Sequence, residues 1–213
     1  MMHLDARVGE RFPGISTAIT KIEGMRIKEA KGMKVQLPYT REEVDDLERL
    51  KQYRSFFWKV GIDPLLIKPP QEELILRALE GEISSKNALM EACDIVSVRH
   101  RIPLMALNSK KVSSGLVLRM AEKEETFMDS KGKEKQLKGK ELVLADSERV
   151  LMLYPYEKTK DLRLKRASRE CLLLACGVPG IQKEFVVACL EAGYRMVVQK
   201  CGGSYKGIAV LAR

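Results

Sequence analysis

The sequence predicts an α+β fold in which a mixed or antiparallel sheet is flanked by helices. Two patterns carry this prediction. Apolar residues before residue 103 recur at helical spacing, whereas after it short apolar runs are separated by polar turns, as in antiparallel strands. Helices and strands do not alternate as they do in a doubly wound sheet. Because no change in composition divides the chain, we expect residues 1–213 to form a single domain.

Three helices are predicted in the first half of the chain. The first begins at Thr40, which has a capping-box spacing with Glu43, and it ends at Gly61, which can adopt a left-handed conformation. The second follows a pair of prolines and covers about residues 71–80. The third covers about residues 84–99, where an apolar stripe recurs at helical spacing.

Short β-branched and apolar runs predict the strands. One lies at residues 16–22, and after residue 115 the runs "GLVLRMA", "ETFMD", "EKQL", "KELVLAD" and "RVLMLYPY" each indicate a strand. The run "CLLLACGVPG" fits a buried strand or a helix start, and we favour the strand. A last helix is predicted to close at Gly193, with "YRMVVQKCGG" as a following strand, and lysine-dense residues 131–140 predict a hairpin tip.

The charge balance indicates an anionic partner. The chain has 38 Lys and Arg residues against 29 Asp and Glu residues, a formal net charge of +9, which favours nucleic acid although a merely solvated basic surface is the alternative. Residues 158–169 hold six basic side chains and one aspartate. We expect these basic side chains to contact phosphates: Lys158, Lys160, Arg163, Lys165, Arg166 and Arg169.

Several kinds of chemistry lack their sequence signatures. The five cysteines form no CxxC pair and have apolar neighbours, so neither a disulfide framework nor a zinc site is expected, and no cofactor is predicted. Glycine-rich phosphate loops, HExxH and GxSxG are absent. His100 lies between two arginines, which disfavour its protonated form, and we interpret it as facing solvent or RNA rather than as a catalytic base.

The N-terminal segment and the apolar runs bear on location. The first fourteen residues lack the apolar core of a signal peptide, and no apolar run approaches the roughly 18 residues needed to span a membrane. These observations predict a soluble, cytoplasmic protein that does not contact a membrane.

Polar residues in the third predicted helix call for an explanation. Asn87, Asp94 and Ser97 are separated by seven and three residues, which places them near one helix face, offset from the apolar stripe. A buried polar row needs hydrogen-bond partners. Either these side chains tie the helix to the sheet and its loops, or they line a ligand site.

A series of short motifs gives the chain a family resemblance. "FPG" at 12–14, a Tyr–Arg pair at 53–54, "GIDP" at 61–64, Pro70 with Glu73, Asn87-x-Leu89-x-Glu91 and "DIVS" at 94–97 are followed by "IPLMALN", "LRMAEKEE" and "MDSKGKEKQLKGKELVLAD". In order and spacing these resemble stand-alone relatives of the tRNA-editing B3/B4 domain of the phenylalanyl-tRNA synthetase beta chain. The resemblance implies a B3/B4-like fold.

Departures from the motifs concern the pocket. Met105 stands where the synthetase domain has a histidine, Cys93–Asp94 replaces its "TN", Glu124 replaces a glycine, and Asn108 replaces an aspartate. A polar pocket that separates tyrosine from phenylalanine is therefore not preserved. The resemblance carries the fold to this chain but not the substrate.

The resemblance also implies a function and a site. We expect a tRNA-related protein, in first place a trans-acting deacylase that hydrolyses mischarged tRNA. A noncatalytic RNA- or tRNA-binding module, or a protein that binds a free amino acid, are the alternatives, and the oligomeric state stays open. No catalytic residue is predicted. The substrate-binding residues are expected to be Asn87, Asp94, Ser97 and Asn108, with Arg119 and Glu125 close by.

Overall fold

The structure is a computed structural model that describes residues 3–32, 34–81, 83 and 85–212. The α-helices are Ala6–Arg11 (α1), Glu48–Lys59 (α2), Pro70–Leu79 (α3), Ala88–His100 (α4) and Lys183–Cys201 (α5). The strands are His3–Leu4 (β1), Ser16–Glu23 (β2), Leu104–Leu107 (β3), Val117–Met120 (β4), Lys123–Met128 (β5), Glu134–Lys138 (β6), Leu142–Ala145 (β7), Val150–Leu153 (β8), Glu157–Lys158 (β9), Glu170–Cys176 (β10), Ser204–Tyr205 (β11) and Ala209–Ala212 (β12). Short 3₁₀ helices cover Glu42–Asp46, Ser109–Lys111 and Lys160–Leu162.

The strands form two larger sheets and a hairpin. One sheet has the order β1-β4-β7-β8-β9 and is antiparallel except for the parallel pair β1–β4. In the other, β10 lies between β3 and β2, and both β11 and β12 pair with the far edge of β2. Strands β5 and β6 pair with each other. The predicted α+β class, with mixed and antiparallel sheets flanked by helices, is confirmed.

Buried apolar side chains hold the sheets and helices together. The main core cluster takes side chains from both larger sheets and from α2, α4 and α5, among them Leu144, Leu173, Phe56, Val96 and Leu190. A second cluster lies between α2, α3 and α4, and a third lies under the β5–β6 hairpin. The single-domain organisation stays a prediction.

Helix α2 begins later than the sequence predicts. The backbone N–H of Thr40 does donate to the carboxylate of Glu43 at 2.7 Å, which is half of a capping box. The turn that follows is a 3₁₀ helix, however, and Leu47 has an extended backbone and a half-buried side chain against the second cluster. The α-helix therefore starts at Glu48, and it ends at the predicted place, where Gly61 has φ +79°.

The prediction of a strand after Gly193 is wrong. Helix α5 has 19 residues and continues past Gly193 to Cys201, and Tyr194, Val197 and Cys201 are buried at helical spacing. Gly193 does not end the helix. A Cβ at Gly193 would collide with the side chain of Leu104 in β3, so this glycine lets the helix lie close to the sheet.

Helix α4 begins with a cap. Asn87 has an extended backbone, and its side chain accepts a hydrogen bond from the N–H of Met90 at 3.0 Å. The predicted start at residue 84 lies outside the described residues. Arg101, with φ 56°, ends the helix in the left-handed conformation. Over the described part of the chain, no helix has the length and apolar character needed to cross a membrane.

Candidate ligand pocket

A pocket of about 450 Å³ opens where α3, β3 and β9 meet the turn of the β5–β6 hairpin. We call it the Met105 pocket. Its walls combine apolar and charged side chains, which suits a ligand with both kinds of group. The lining residues are Ile67, Lys68, Pro70, Glu73, Met105, Ser130, Tyr156, Glu157, Lys158 and Arg163.

Lys158 places a cation in the wall of this pocket. Its half-buried side chain extends from β9, and its Nζ donates a hydrogen bond to the carbonyl oxygen of Ala106 at 2.5 Å. Burial lowers the pKa of Lys158, because a charged amine loses hydration there. The amine is thus a hydrogen-bond donor that is held against strand β3, next to Met105.

Asp94 of α4 supplies a negative charge near Lys158. Its carboxylate accepts a hydrogen bond from the hydroxyl of Ser85 at 2.6 Å. Burial raises the pKa of Asp94, and the hydroxyl of Ser85 and the charges of Arg77 and Lys158 act against that rise. The charge of Asp94 in turn favours the protonated form of Lys158.

Ser130 and Glu157 build the rim opposite α3. Glu157 accepts hydrogen bonds from the N–H and the hydroxyl of Ser130 at 3.3 and 3.1 Å, and it forms an ion pair with Lys135 at 3.1 Å. Arg163 donates to the carbonyl oxygen of Ser130 at 2.5 Å. These bonds fix the hairpin turn to β9 and to the segment after it, so the rim is held by several polar contacts.

None of the six expected substrate-binding residues lines the Met105 pocket. Asn87 caps α4 as described above, and Asn108 caps the 3₁₀ helix that follows β3 by accepting from the N–H of Lys110 at 3.3 Å. Arg119 and Glu125 form a two-bonded ion pair with a closest approach of 2.5 Å between β4 and β5. Each of these side chains has a partner within the protein.

Ser97 is buried and also has partners within the protein. Its hydroxyl donates to the carbonyl oxygen of Cys93 at 2.8 Å and accepts from the N–H of Leu104 at 2.9 Å. It therefore ties α4 to the first residue of β3. Of the six residues, Asp94 has the electrostatic link to a lining residue of the Met105 pocket, through Lys158.

The basic stretch 158–169 is divided by the fold. Lys160, Lys165, Arg166 and Arg169 are exposed, and Arg166 forms a long ion pair with Glu29 at 3.7 Å. Lys158 instead points into the pocket wall, because the carbonyl oxygen of Ala106 is its acceptor. Arg163, which is exposed, stands at the rim and joins the pocket to the basic surface.

Part of the pocket was visible in the sequence. Pro70, Glu73 and Met105 all belong to segments that carry the family resemblance, and all three line the pocket. Ser130, Tyr156 and Glu157 were not predicted as pocket residues, although Ser130 belongs to the segment "MDSKGKEKQLKGKELVLAD" and Tyr156 ends the run "RVLMLYPY".

The titratable groups that lie away from the pocket bear on the question of a metal site. Within the described residues, no group of three or more His, Cys, Asp and Glu side chains is placed to hold a metal ion, and the five cysteines are free and buried. The pKa of His100 is lowered by burial and by the charges of Arg49, Arg101 and Arg99. This direction agrees with the expectation from its sequence neighbours.

Comparison with known proteins relates this geometry to a family. A model of the B3/4 domain matches residues 52–202. The phenylalanine–tRNA ligase beta subunit of Aquifex aeolicus (strain VF5) is 31% identical over 134 residues, which are 59% of this chain and 17% of that protein's length. The chain thus corresponds to a small part of this relative.

A solved structure gives the same fold. The crystal structure of an N-terminal fragment of the phenylalanyl-tRNA synthetase beta-subunit from Pyrococcus horikoshii matches 99% of this chain and 50% of that fragment, with a TM-score of 0.55 and 15% sequence identity. At this identity the likeness concerns the fold. Because the family model covers residues 52–202, which include part of α2, all of α3 to α5 and both larger sheets in part, the chain belongs to the B3/4 domain family.

Proposed function

We propose that this protein is a trans-acting aminoacyl-tRNA deacylase that removes the amino acid from mischarged tRNA. Support comes from the B3/4 family membership and from the similarity to a tRNA ligase subunit. The net charge of +9 suits a polyanionic substrate. We place the reaction in the cytoplasm, where charged tRNA is used.

The observation that carries the proposal is the position of Lys158. Its amine lies in the wall of the Met105 pocket, beside the strand position that holds the pocket histidine in the domain this chain resembles. A cation in a partly desolvated wall can stabilise the negative charge that develops on a carbonyl oxygen. Lys158 is therefore assigned to the oxyanion of the hydrolysis step.

The reaction needs water, positioning and charge stabilisation. Water adds to the ester carbonyl, its oxygen stays on the amino acid, the C–O bond to the tRNA ribose breaks, and the ribose oxygen takes up a proton. Aminoacyl esters are activated, so positioning and one charge-stabilising donor contribute most of the acceleration that is required. Glu73 and Glu157 in the pocket wall can accept hydrogen bonds from the attacking water or from the substrate ammonium.

The exposed basic side chains would bind the tRNA itself. Lys160, Lys165, Arg166 and Arg169 lie in the segment that begins at the pocket wall, and Arg163 stands at the rim. A tRNA bound on this surface would bring its 3′ end towards the pocket. Phosphate contacts of this kind fix orientation without reading sequence.

One observation favours a second candidate function. Met105 cannot donate, accept strongly or transfer a proton, unlike the histidine at the resembled position. A noncatalytic tRNA-binding protein would keep the basic surface and tolerate this replacement. A protein that binds a free amino acid would need only the pocket, and its basic surface would have no role.

Deacylation assays separate these functions. A panel of correctly and incorrectly charged tRNAs is incubated with and without the protein, and the release of amino acid is measured. Faster release from at least one mischarged tRNA supports the deacylase. Salt-sensitive tRNA binding without release would support the noncatalytic module, and binding of a free amino acid without tRNA binding would support the third alternative.

A further inference from the structure

A second hollow is lined in part by α4 and shares no lining residue with the Met105 pocket. We call it the Glu91 hollow. Its volume, about 510 Å³, falls in the range of roughly 300–1,000 Å³ that is typical of ligand sites. Helices α4 and α5 and the segment after β2 line it, through Lys28, Glu29, Lys31, Ala88, Glu91, Arg99, Met196, Gln199 and Lys200.

Glu91 is the unusual residue of this hollow. It is fully buried, and one carboxylate oxygen, Oε2, accepts from the Nζ of Lys200 at 2.6 Å. The other oxygen, Oε1, is buried and has no hydrogen-bond partner among the described residues. Because buried carboxylate oxygens are normally hydrogen-bonded, Oε1 indicates a place where a ligand donor can bind.

Cations surround this carboxylate. Lys28, Lys31, Arg99 and Lys200 belong to the lining, against Glu29 and Glu91. A neighbouring hollow shares Lys28 and Glu29 and adds further basic side chains together with the cap residue of α4: Lys86, Arg166 and Asn87. Both hollows therefore have a positive balance, and Arg166 connects them to the exposed basic stretch that follows β9.

We infer that the Glu91 hollow binds a ribonucleoside phosphate, with the phosphate on Lys28, Lys31 and Arg99 and a hydroxyl or amine of the nucleoside donating to Glu91. Basic side chains in this number favour a phosphate. A buried carboxylate among them opposes a bare anion but accepts hydrogen bonds from ribose hydroxyls and base amines. The combination selects a ligand that carries both a negative charge and donors close to each other.

The same chemistry occurs in a free nucleotide and in one residue of an RNA strand. The adjoining hollow with Lys86 and Arg166 favours the RNA strand, since these cations can neutralise the phosphates of neighbouring nucleotides. The proposal does not depend on hydrolysis in the Met105 pocket. Its test uses ligands without an aminoacyl ester, so either proposal can fail alone.

Calorimetric titrations with four probes test the site in the full chain. The probes are inorganic phosphate, adenosine, adenosine 5′-monophosphate and a six-nucleotide oligoadenylate. We expect the monophosphate to bind more tightly than phosphate and adenosine. Tighter binding of the oligonucleotide identifies an RNA strand as the source, and equal binding identifies a free nucleotide. A monophosphate that binds no better than phosphate overturns the inference.

Three variants locate the binding. Arg99→Gln changes an exposed cation of the hollow and should weaken monophosphate binding about tenfold or more, the loss expected for a charge-assisted hydrogen bond. Lys183→Gln also removes one positive charge, but at the start of α5, whereas the hollow is lined by the last part of that helix. This variant should bind the monophosphate as the unaltered protein does. Equal affinities of these two variants would show that binding is nonspecific and would exclude the hollow.

Glu91→Gln tests the carboxylate. It should weaken binding of the monophosphate and leave binding of phosphate unchanged or stronger, because a negative charge is removed. If both probes lose affinity equally while the unfolding temperature falls, Glu91 serves only to hold Lys200 between α4 and α5. That result would overturn the role given to Glu91, and the Arg99→Gln titration, in a variant with an unchanged core, keeps the phosphate site under test.

Discussion

The Nζ of Lys158 lies 2.5 Å from the carbonyl oxygen of Ala106, so the second residue of β9 is bonded to the strand that carries Met105. The bond links two sheets, since β9 pairs with β8 and β3 pairs with β10. It leaves the amine with donors that can reach a ligand. The first predictions concern this amine.

Replacing Lys158 with methionine should separate catalysis from folding. Lys158→Met keeps the length of the side chain and removes the charge. We expect the rate of deacylation of the mischarged tRNA to fall about 10²–10³-fold, as on removal of one oxyanion donor. Lys183→Met, at an exposed position at the start of α5 and outside both the pocket and the basic stretch, is the control and should change the rate little. Equal rates for the two variants would exclude Lys158 from the reaction.

The pH dependence of deacylation should report the amine. The rate requires protonated Lys158, and burial lowers its pKa below the ordinary value of 10.5. We therefore expect kcat/KM, corrected for spontaneous hydrolysis of the ester, to fall as pH rises through this lowered pKa. Lys158→Met should lack that falling limb. A limb that persists in the variant would assign the titration to another group.

Asp94→Asn should stabilise the protein near neutral pH. The pKa of Asp94 is raised above its usual 3.8 in the folded state, so the unfolded chain ionises more readily and stability is lost as pH rises through that window. The amide oxygen can still accept from Ser85. Thermal unfolding should show a gain at pH 7 and none below pH of about 3.8, where both states are protonated.

The same variant should impair the reaction. Without the charge of Asp94, the pKa of Lys158 falls further, and the falling limb of the rate moves to lower pH. A more stable but less active variant would assign Asp94 to the pocket. Loss of stability and activity together would instead mean that Asp94 ties α4 to the loop of Ser85.

Local signals explain which parts of the fold could be predicted. Gly61 ends a helix through its own backbone conformation, and this is visible in the sequence. Gly193 has the same residue type but a different role, since it allows α5 to approach Leu104. A sequence does not distinguish a glycine that ends a helix from one that permits close packing. The helical spacing of Tyr194, Val197 and Cys201 was the better guide.

Side-chain direction explains why the site was only partly predictable. Lys158 and Lys165 belong to the same basic stretch, yet one amine bonds to a buried carbonyl and the other is exposed to solvent. Their difference arises from tertiary contacts with β3. Asn87, by contrast, precedes a helix as capping residues do, and this role could have been read from the sequence.

Ser97→Ala should destabilise the fold without a specific effect on catalysis. The hydroxyl of Ser97 is the acceptor for the buried N–H of Leu104, and without it this donor loses its partner. We expect a loss of about 1–3 kcal/mol in the free energy of unfolding. Ser97→Thr, which keeps the hydroxyl, is the control. An unchanged unfolding midpoint in Ser97→Ala, with reduced substrate affinity, would place Ser97 in the binding site instead.

Reversing the charge of Lys165 and Arg166 should weaken binding of all tRNAs alike. Both side chains are exposed. Each phosphate contact that is lost lowers the number of counterions released when tRNA binds. In the double variant with glutamate at both positions, the slope of log affinity against log salt should flatten by about one to two units. The choice of amino acid should not change, because it depends on the Met105 pocket.

Charge reversal of Lys131 and Lys133, exposed in the turn of the β5–β6 hairpin, is the control. If both double variants have the affinity and the salt slope of the unaltered protein, the segment after β9 does not bind tRNA, and the deacylase proposal loses its docking surface.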